Sequence, residues 1–138
     1  MKPHLRPGLR VELPFQVKAW MKPNLEGLVR HPLYSTWAMA YHMETASRML
    51  LAPYLEPHEE AVGAGILIKH LKAAGMRAHL RVCCTLVKLR GTRVYTRLEV
   101  YSKNRKIGEG SHLQVVMTRG RFARLLREAR AQGSQGHG

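Results

Sequence analysis

The chain has 138 residues, of which 45% are hydrophobic, with 23 Lys and Arg against 9 Asp and Glu. This length and composition are typical of one globular domain with a hydrophobic core, not of a disordered chain. The longest apolar runs, such as 61–68, are too short to span a bilayer, so no membrane partner is expected. The amino terminus is basic but lacks an apolar secretory core, which favours a cytoplasmic location.

A net charge of +14 raises nucleic acid as a partner. Most basic residues, however, alternate with apolar ones along predicted strands, as solvated strand faces do. Only residues 119–127 are dense in arginine, and no aromatic stacking motif is interleaved with them. Nucleic acid is therefore not the expected partner. The charge fits an anionic small molecule equally well.

The first predicted element is a strand over Val11–Lys18, where apolar and polar side chains alternate. Pro14 lies inside it and cannot donate a backbone hydrogen bond, which favours a position at the edge of a sheet. Residues 22–32 contain two prolines, an asparagine and a glycine, and they predict a loop.

A helix is predicted from Ser35 or Thr36, either of which can cap it, to about Leu51, just before Pro53. Its side chains are apolar around most of its circumference, which is typical of a buried helix. A strand over Ala61–Leu71 follows. Three more strands, joined by short turns, predict an antiparallel meander, and they centre on residues 80–86, 94–101 and 107–117.

One buried helix followed by a long antiparallel sheet predicts an α+β hot-dog fold, in which the sheet wraps around the helix. Residues 1–130 form a single hot-dog domain in this interpretation, and the polar, glycine-rich residues 131–138 form a disordered tail. One protomer would leave sheet edges and much of the helix uncovered. A homodimer with sheets paired edge to edge is therefore expected, and a dimer of dimers stays open.

Three polar side chains are predicted to meet inside this apolar interface. Thr36, Ala40 and Glu44 are four residues apart and form one row along the helix. His70 ends a strand in which Val62, Ala64, Ile66 and Ile68 precede it at a spacing of two, which predicts a shared face. Burying polar groups costs free energy unless they pair. The spacing therefore predicts that Thr36, Glu44 and His70 contact one another.

Each of these residues also has a structural interpretation. In the structural interpretation of Thr36, its side chain caps the helix and has no catalytic role. Glu44 can pair with Arg48, one turn further along the helix. Gly63 can belong to a β-bulge instead of a place where substrate approaches the backbone. His112 is interpreted first as a structural or surface residue and second as lining a pocket. His and carboxylate residues have no repeated metal-ligand spacing, so no metal is expected.

Residues from Tyr34 to about Leu126 resemble the fluoroacetyl-CoA thioesterase-like branch of the hot-dog thioesterases. The matching motifs are Thr36-x7-Glu44, the phrase Ala52-Pro53-Tyr54-Leu55-Glu56-Pro57, Val62-Gly63, His70 twenty-six residues beyond Glu44, and Ile107-Gly108-x-Gly110-x-His112. The resemblance implies an acyl-CoA thioesterase whose catalytic residues are Thr36, Glu44 and His70. It implies that a backbone N–H at Gly63 approaches the thioester. Coenzyme A would enter as part of the substrate, and no separate cofactor is implied.

The chain departs from this branch at the loop before the helix. Where the fluoroacetyl-specialised enzyme has aromatic gate residues, nine and six positions before the threonine, this chain has Gly27 and Arg30. The departure predicts a pocket open to larger acyl groups. Arg30, Lys69 and Arg119 are candidate contacts for the substrate and its phosphates. The alternative function is a non-catalytic hot-dog module that binds an acyl-CoA or another anionic ligand, but a binding module has no need of all three polar residues.

Overall fold

The fold is known from a computed structural model that describes residues 1–135. Its sheet has five antiparallel strands in the spatial order β1-β3-β4-β5-β2, and a long helix, α1, packs on one face. The elements are β1 (Arg10–Gln16), α1 (Thr36–Leu51), β2 (Glu59–His70), β3 (His79–Arg90), β4 (Arg93–Ser102), β5 (Arg105–Thr118) and α2 (Arg119–Gln135). This arrangement confirms the predicted α+β hot-dog fold. Neither helix is long and apolar enough to cross a membrane.

The core lies between α1 and the inner face of the sheet. The helix side chains that fill it are fully or almost fully buried: Ala38, Met39, Met43, Ala46, Leu50 and Leu51. Burying one Met or Leu side chain contributes about 1.5–3 kcal/mol. Two glycines of β5 let the helix approach the sheet closely, because a Cβ added to Gly108 would lie 2.5 Å from Sδ of Met39. A Cβ added to Gly110 would lie 3.2 Å from Sδ of Met43.

Both outer strands of the sheet have distinctive sequences. β1 forms one edge, where Pro14 is tolerated as predicted. β2 forms the other edge and pairs only with β5 among the described strands. A register shift lies between Gly63 and Gly65, so Ala64 is the extra residue of a β-bulge.

The bulge changes which residues of β2 share a face. Ile66 pairs with the buried His112, so Ile66, Ile68 and His70 point toward the helix. Val62 pairs with Val115 on the outer face. The prediction that Val62 shares a face with His70 is therefore wrong, because one extra residue inverts the alternation.

The second helix begins where the chain is tied to the start of β2. The backbone N–H of Arg119 donates to the carbonyl of His58 at 2.8 Å. α2 then continues to Gln135, so residues 131–135, predicted to belong to a disordered tail, are helical. The alanines, leucines and arginines of residues 121–131 are good helix formers, and the helix that they form extends over the more polar residues 132–135. Residues 136–138 of the predicted tail lie outside the described residues.

Candidate active site

The helix α1 begins with a hydrogen-bonded cap that does not involve Thr36. Ser35 is the cap residue, and its hydroxyl accepts from the N–H of Ala38 at 3.1 Å. The N–H of Ser35 donates to the carbonyl of Met21 at 2.9 Å, which fixes the preceding loop against the helix end. Thr36 is thus the first helical residue, and its hydroxyl is free for another partner. Ser35, and not Thr36, is therefore the residue that caps the helix.

The partner of Thr36 is His70. Oγ1 of Thr36 lies 3.1 Å from Nδ1 of His70, at hydrogen-bond distance, and either atom can donate depending on the tautomer. The other ring nitrogen, Nε2, is buried and has no hydrogen-bond partner within residues 1–135. Burial lowers the pKa of His70 below its ordinary value, opposed by a smaller contribution from the backbone at Lys72. His70 is therefore neutral at neutral pH and able to accept a proton.

The start of α1 also offers hydrogen-bond donors. In the described chain, the backbone N–H groups of Thr36 and Trp37 have no acceptor, as is usual in a first helical turn. They lie at the positive end of the helix dipole. This end of the helix can therefore stabilise negative charge on an oxygen next to the Thr36 hydroxyl.

Glu44 lies apart from this pair within one protomer. It is eight residues beyond Thr36, or about 12 Å along a helix that rises 1.5 Å per residue. The structure gives it no hydrogen bond to Thr36 or His70 among the described residues. Its charge acts on His112, where burial lowers the pKa and the Glu44 carboxylate opposes that effect. Glu44 therefore lies near the middle of α1, about two helical turns from the hydroxyl–imidazole pair.

Arg48 is not the partner of Glu44. Its Nε donates to Oε1 of Gln114 at 2.9 Å, and a guanidinium nitrogen donates to the carbonyl of Ala61 at 2.6 Å. The interpretation of Glu44 as the ion-pair partner of Arg48 is thus wrong. These bonds tie the arginine to the sheet and leave the Glu44 carboxylate exposed.

His112 belongs to a buried polar cluster under α1. Oγ of Ser47 lies 2.9 Å from Nδ1 of His112, 2.9 Å from Oγ1 of Thr96 and 3.1 Å from Nε2 of Gln114. All four side chains are buried. A Cβ added to Gly63 would lie 3.4 Å from Nε2 of His112, so the bulge of β2 passes over this imidazole. The contacts support the structural interpretation of His112.

The remaining candidates are spread around the fold. Arg30 lies in the loop before α1 and lines a cavity of about 730 Å³ beside Trp20 and Trp37. Lys69 lies on the outer face of the sheet near Glu109, whose pKa is lowered chiefly by the hydrogen bond from Lys106 and to a smaller extent by the charge of Lys69. Arg119 donates to the carbonyl of Pro57 and lies 3.7 Å from Glu60, at the opposite end of β2 from His70.

Two residues next to the site were missed by the sequence analysis. The hydroxyl of Tyr34 lies 2.8 Å from Nδ1 of His42, and the ring of Phe15 stacks on His42 with centroids 3.7 Å apart. Burial lowers the pKa of His42 to about 4, so it is neutral. The ring of Tyr34 also meets His70 edge-on at 6.0 Å and thereby supports its position. The available signal was the spacing of four that places His42 in the buried row between Ala38 and Ala46.

A hot-dog fold with a hydroxyl–imidazole pair at the start of its central helix defines a thioester hydrolase. The sequence model of the family described as fluoroacetyl-CoA-specific thioesterase matches residues 17–120, and the chain belongs to this family.

Individual relatives agree with this assignment. The fluoroacetyl-CoA thioesterase of Streptantibioticus cattleyicolor is 29% identical over 101 residues, which are 73% of each chain. A Thermus thermophilus hypothetical protein, a thioesterase superfamily member, superposes with a TM-score of 0.92 at 31% identity, over 98% of this chain and 99% of the other. A variant of the fluoroacetyl-CoA-specific thioesterase FlK, in complex with fluoroacetate and CoA, superposes with a TM-score of 0.78 at 27% identity, over 86% and 99%.

Proposed function

We propose that this protein hydrolyses acyl-CoA esters to the free acid and coenzyme A, in the cytoplasm, with Thr36 and His70 at the chemical centre. The observation that carries the proposal is the 3.1 Å contact between Oγ1 of Thr36 and Nδ1 of His70 at the start of α1. Support also comes from the relative that was solved with fluoroacetate and CoA. A module that only binds its ligand has no need of a neutral imidazole with a buried, unpartnered nitrogen.

In this mechanism His70 is the general base. The neutral imidazole accepts the proton of the attacking oxygen, which belongs to Thr36 itself or to a water that Thr36 holds. Attack on the thioester carbon opens the C=O bond, and the free N–H groups of Thr36 and Trp37 stabilise the oxyanion. The C–S bond then breaks, and the imidazolium returns the proton to the sulfur of coenzyme A. An acyl adduct on Thr36, detected by intact mass, would distinguish the two attacking oxygens.

Glu44 completes the site only if a second copy supplies it. Ala40 lies midway between Thr36 and Glu44 on one helix row, and its small side chain allows close approach of another helix. If two α1 helices cross antiparallel near Ala40, Glu44 of the second copy lies level with Thr36. Its carboxylate can then stabilise the imidazolium of His70 electrostatically, or attack the thioester itself.

The free edge of β2 supports the same arrangement. Gly63 and His70 are seven residues apart, about 20 Å at the rise of a strand. A two-fold axis that pairs two β2 edges antiparallel would bring the His70 end of one copy beside the Gly63 end of the other. Gly63 would then approach a thioester bound at the neighbouring His70, as the sequence resemblance implies. Arg119 lies beside the start of β2, so this pairing of edges would place it near the same site. Arg119 and Lys69 remain candidates for binding the phosphates of coenzyme A.

The homodimer is tested by analytical ultracentrifugation. We expect a dimer at micromolar concentration, because the exposed β2 edge includes Ile66 and Leu67, which are 39% and 59% exposed in a single chain. Leu67→Lys on this edge should favour the monomer and reduce turnover together, whereas Val87→Lys, at an exposed position of β3, should change neither. A wild-type monomer with full activity would contradict the composite site.

The acyl preference follows from the loop before α1. Gly27 and Arg30 occupy the positions of the aromatic gate, and Gly27 has a φ of +76°, which a turn requires and a bulky gate residue would resist. We therefore propose that the pocket accepts acyl groups larger than fluoroacetyl. Acetyl and fluoroacetyl should be poorly distinguished, since one small substituent changes binding by only about 1–3 kcal/mol.

The function is tested with a panel of acyl-CoA esters and a reagent for the free thiol. Thiol release should depend on His70, with kcat/KM for fluoroacetyl-CoA less than about a thousandfold above that for acetyl-CoA. A larger ratio would restore the specialised selectivity. Binding of every ester without thiol release would instead favour the non-catalytic module.

A further inference from the structure

A cavity of about 730 Å³ lies between the start of α1 and the loop that precedes it. Trp37 lines it and directly follows Thr36 in the chain, so the cavity lies at the same end of α1 as the Thr36–His70 pair, although neither residue of the pair lines it. The backbone bond from Ser35 to Met21 holds the two walls together. Its position makes it the natural place for the acyl part of a bound thioester.

One wall of this cavity is aromatic. The rings of Trp20 and Trp37 lie with centroids 6.0 Å apart, and Tyr41 meets Trp20 edge-on at 5.3 Å. The two tryptophans are 48% and 41% exposed, so they are not simply core residues. Exposed aromatic surface of this size next to a reacting group is suited to cover a hydrocarbon chain or ring.

The opposite rim carries the positive charges of Lys22 and Arg30. The imidazole of His31 also lines the cavity, and no acidic side chain lines it. Within residues 1–135, none of these three has an ion pair or a side-chain hydrogen bond. The bridge between Asn24 and Arg30 and the bond from Gly27 N–H to Oδ1 of Asn24 hold the loop in a defined turn. The cationic groups are therefore presented by an ordered loop, and no carboxylate among the described residues lies within ion-pair distance of them.

We propose that this cavity binds the acyl group and selects acyl groups whose far end carries a carboxylate. The proposal rests on the proposed function and names its substrate class. The tryptophan wall covers the hydrocarbon stem, while Arg30, assisted by Lys22 and His31, pairs with the terminal carboxylate. The other source of an anion in the same substrate is a phosphate of coenzyme A. The cavity lies at the same end of α1 as the Thr36–His70 pair, which favours the acyl end of the substrate.

The test compares glutaryl-CoA with 5-methylhexanoyl-CoA, in which an isopropyl group replaces the terminal carboxylate at equal length. Wild-type protein should show kcat/KM at least about tenfold higher for glutaryl-CoA, the effect of one charge-assisted hydrogen bond. Arg30→Gln should reduce this ratio about tenfold. Arg90→Gln, which removes a charge at the exposed β3–β4 turn, should leave the ratio as in the wild type. Equal values for the two esters would overturn the acyl assignment while leaving thioester hydrolysis intact.

A binding measurement keeps the test independent of turnover. The chain has only two tryptophans, Trp20 and Trp37, and both line the cavity. Quenching of intrinsic fluorescence therefore reports on this site directly. Glutaryl-CoA should quench at lower concentration than the isostere in wild-type protein but not in Arg30→Gln. If Arg30→Gln weakens binding of free coenzyme A as much as that of glutaryl-CoA, the cations hold phosphate and the proposal is wrong.

Discussion

The two ends of the central helix carry the same chemical pair in opposite settings. At the start of α1, the exposed Thr36 hydroxyl contacts His70 at 3.1 Å, and Nε2 of that imidazole has no partner in the described chain. Further along the helix, the buried Ser47 hydroxyl contacts His112 at 2.9 Å and two other side chains as well. A hydroxyl beside an imidazole is therefore not sufficient for reactivity. We expect the reactive pair to be the one that is accessible and incompletely bonded, next to free helix N–H groups.

The largest expected effect breaks the pair at the start of the helix. His70→Ala should reduce kcat by about a hundredfold or more, the usual scale for loss of a general base. Folding should change little, because His70 lies at the end of an edge strand. Turnover of the best ester and the thermal midpoint should both be measured, with His79→Ala at the exposed start of β3 as control. Near-native turnover would make His70 a structural residue.

The buried pair should respond in stability. Ser47→Ala leaves Thr96, His112 and Gln114 without one hydrogen-bond partner each, and an unsatisfied buried polar group costs about 1–3 kcal/mol. The free energy of unfolding in urea is the measurement, with the exposed Ser111→Ala as the matched substitution. An unchanged free energy of unfolding would mean that the buried cluster does not stabilise the fold.

The hydroxyl at the start of the helix should affect rate and not stability. Thr36→Val should lower kcat/KM by about tenfold or more, the scale for one lost catalytic hydrogen bond. Thr36→Ser should restore most of it. The helix keeps its cap in both variants, since Ser35 provides the capping hydroxyl. If the serine variant were as slow as the valine variant, the hydroxyl would not be the functional group.

The smallest expected effect is a shift of the acid limb of kcat/KM toward lower pH. Burial holds the pKa of His70 below its ordinary value, so the neutral base persists to lower pH than for a free imidazole. Activity should be present above this lowered pKa and decline as the pH falls through it, with the acid limb of kcat/KM below pH 6.5. The imidazole of His70 also binds a proton more readily in the unfolded chain than in the folded one. The free energy of unfolding should therefore decrease as the pH falls below about 6.5. An acid limb above pH 6.5 would contradict the burial argument.

Much of the fold could be predicted because its signals are local. The bounds of α1 follow from capping residues before an apolar run and Pro53 after it, and the structure confirms them. The meander follows from alternating side chains and short turns. Residues 131–135 were assigned wrongly because their polar composition resembles a tail, although the helix that begins at Arg119 extends over them.

The site was only partly predictable. The nearness of Thr36 and His70 was expected from the helix row and the face of β2, and the structure confirms their contact. The joint meeting with Glu44 is not formed within one protomer, because helical rise separates positions eight residues apart. The role of Glu44 in catalysis therefore stays a prediction, tied to a second copy of the chain.

The order of the elements, the buried helix and the candidate residues Thr36 and His70 could be predicted without the structure, because periodicity and capping are read within a few neighbouring positions. The folded chain was needed to show that Ser35 caps the helix, that a bulge at Ala64 inverts the face of β2, and that Arg48 bonds to the sheet. Such choices depend on partners distant in sequence. For the cap of α1 and for Arg48, the sequence offers more than one nearby partner. The packing of the sheet against the helix selects among these partners.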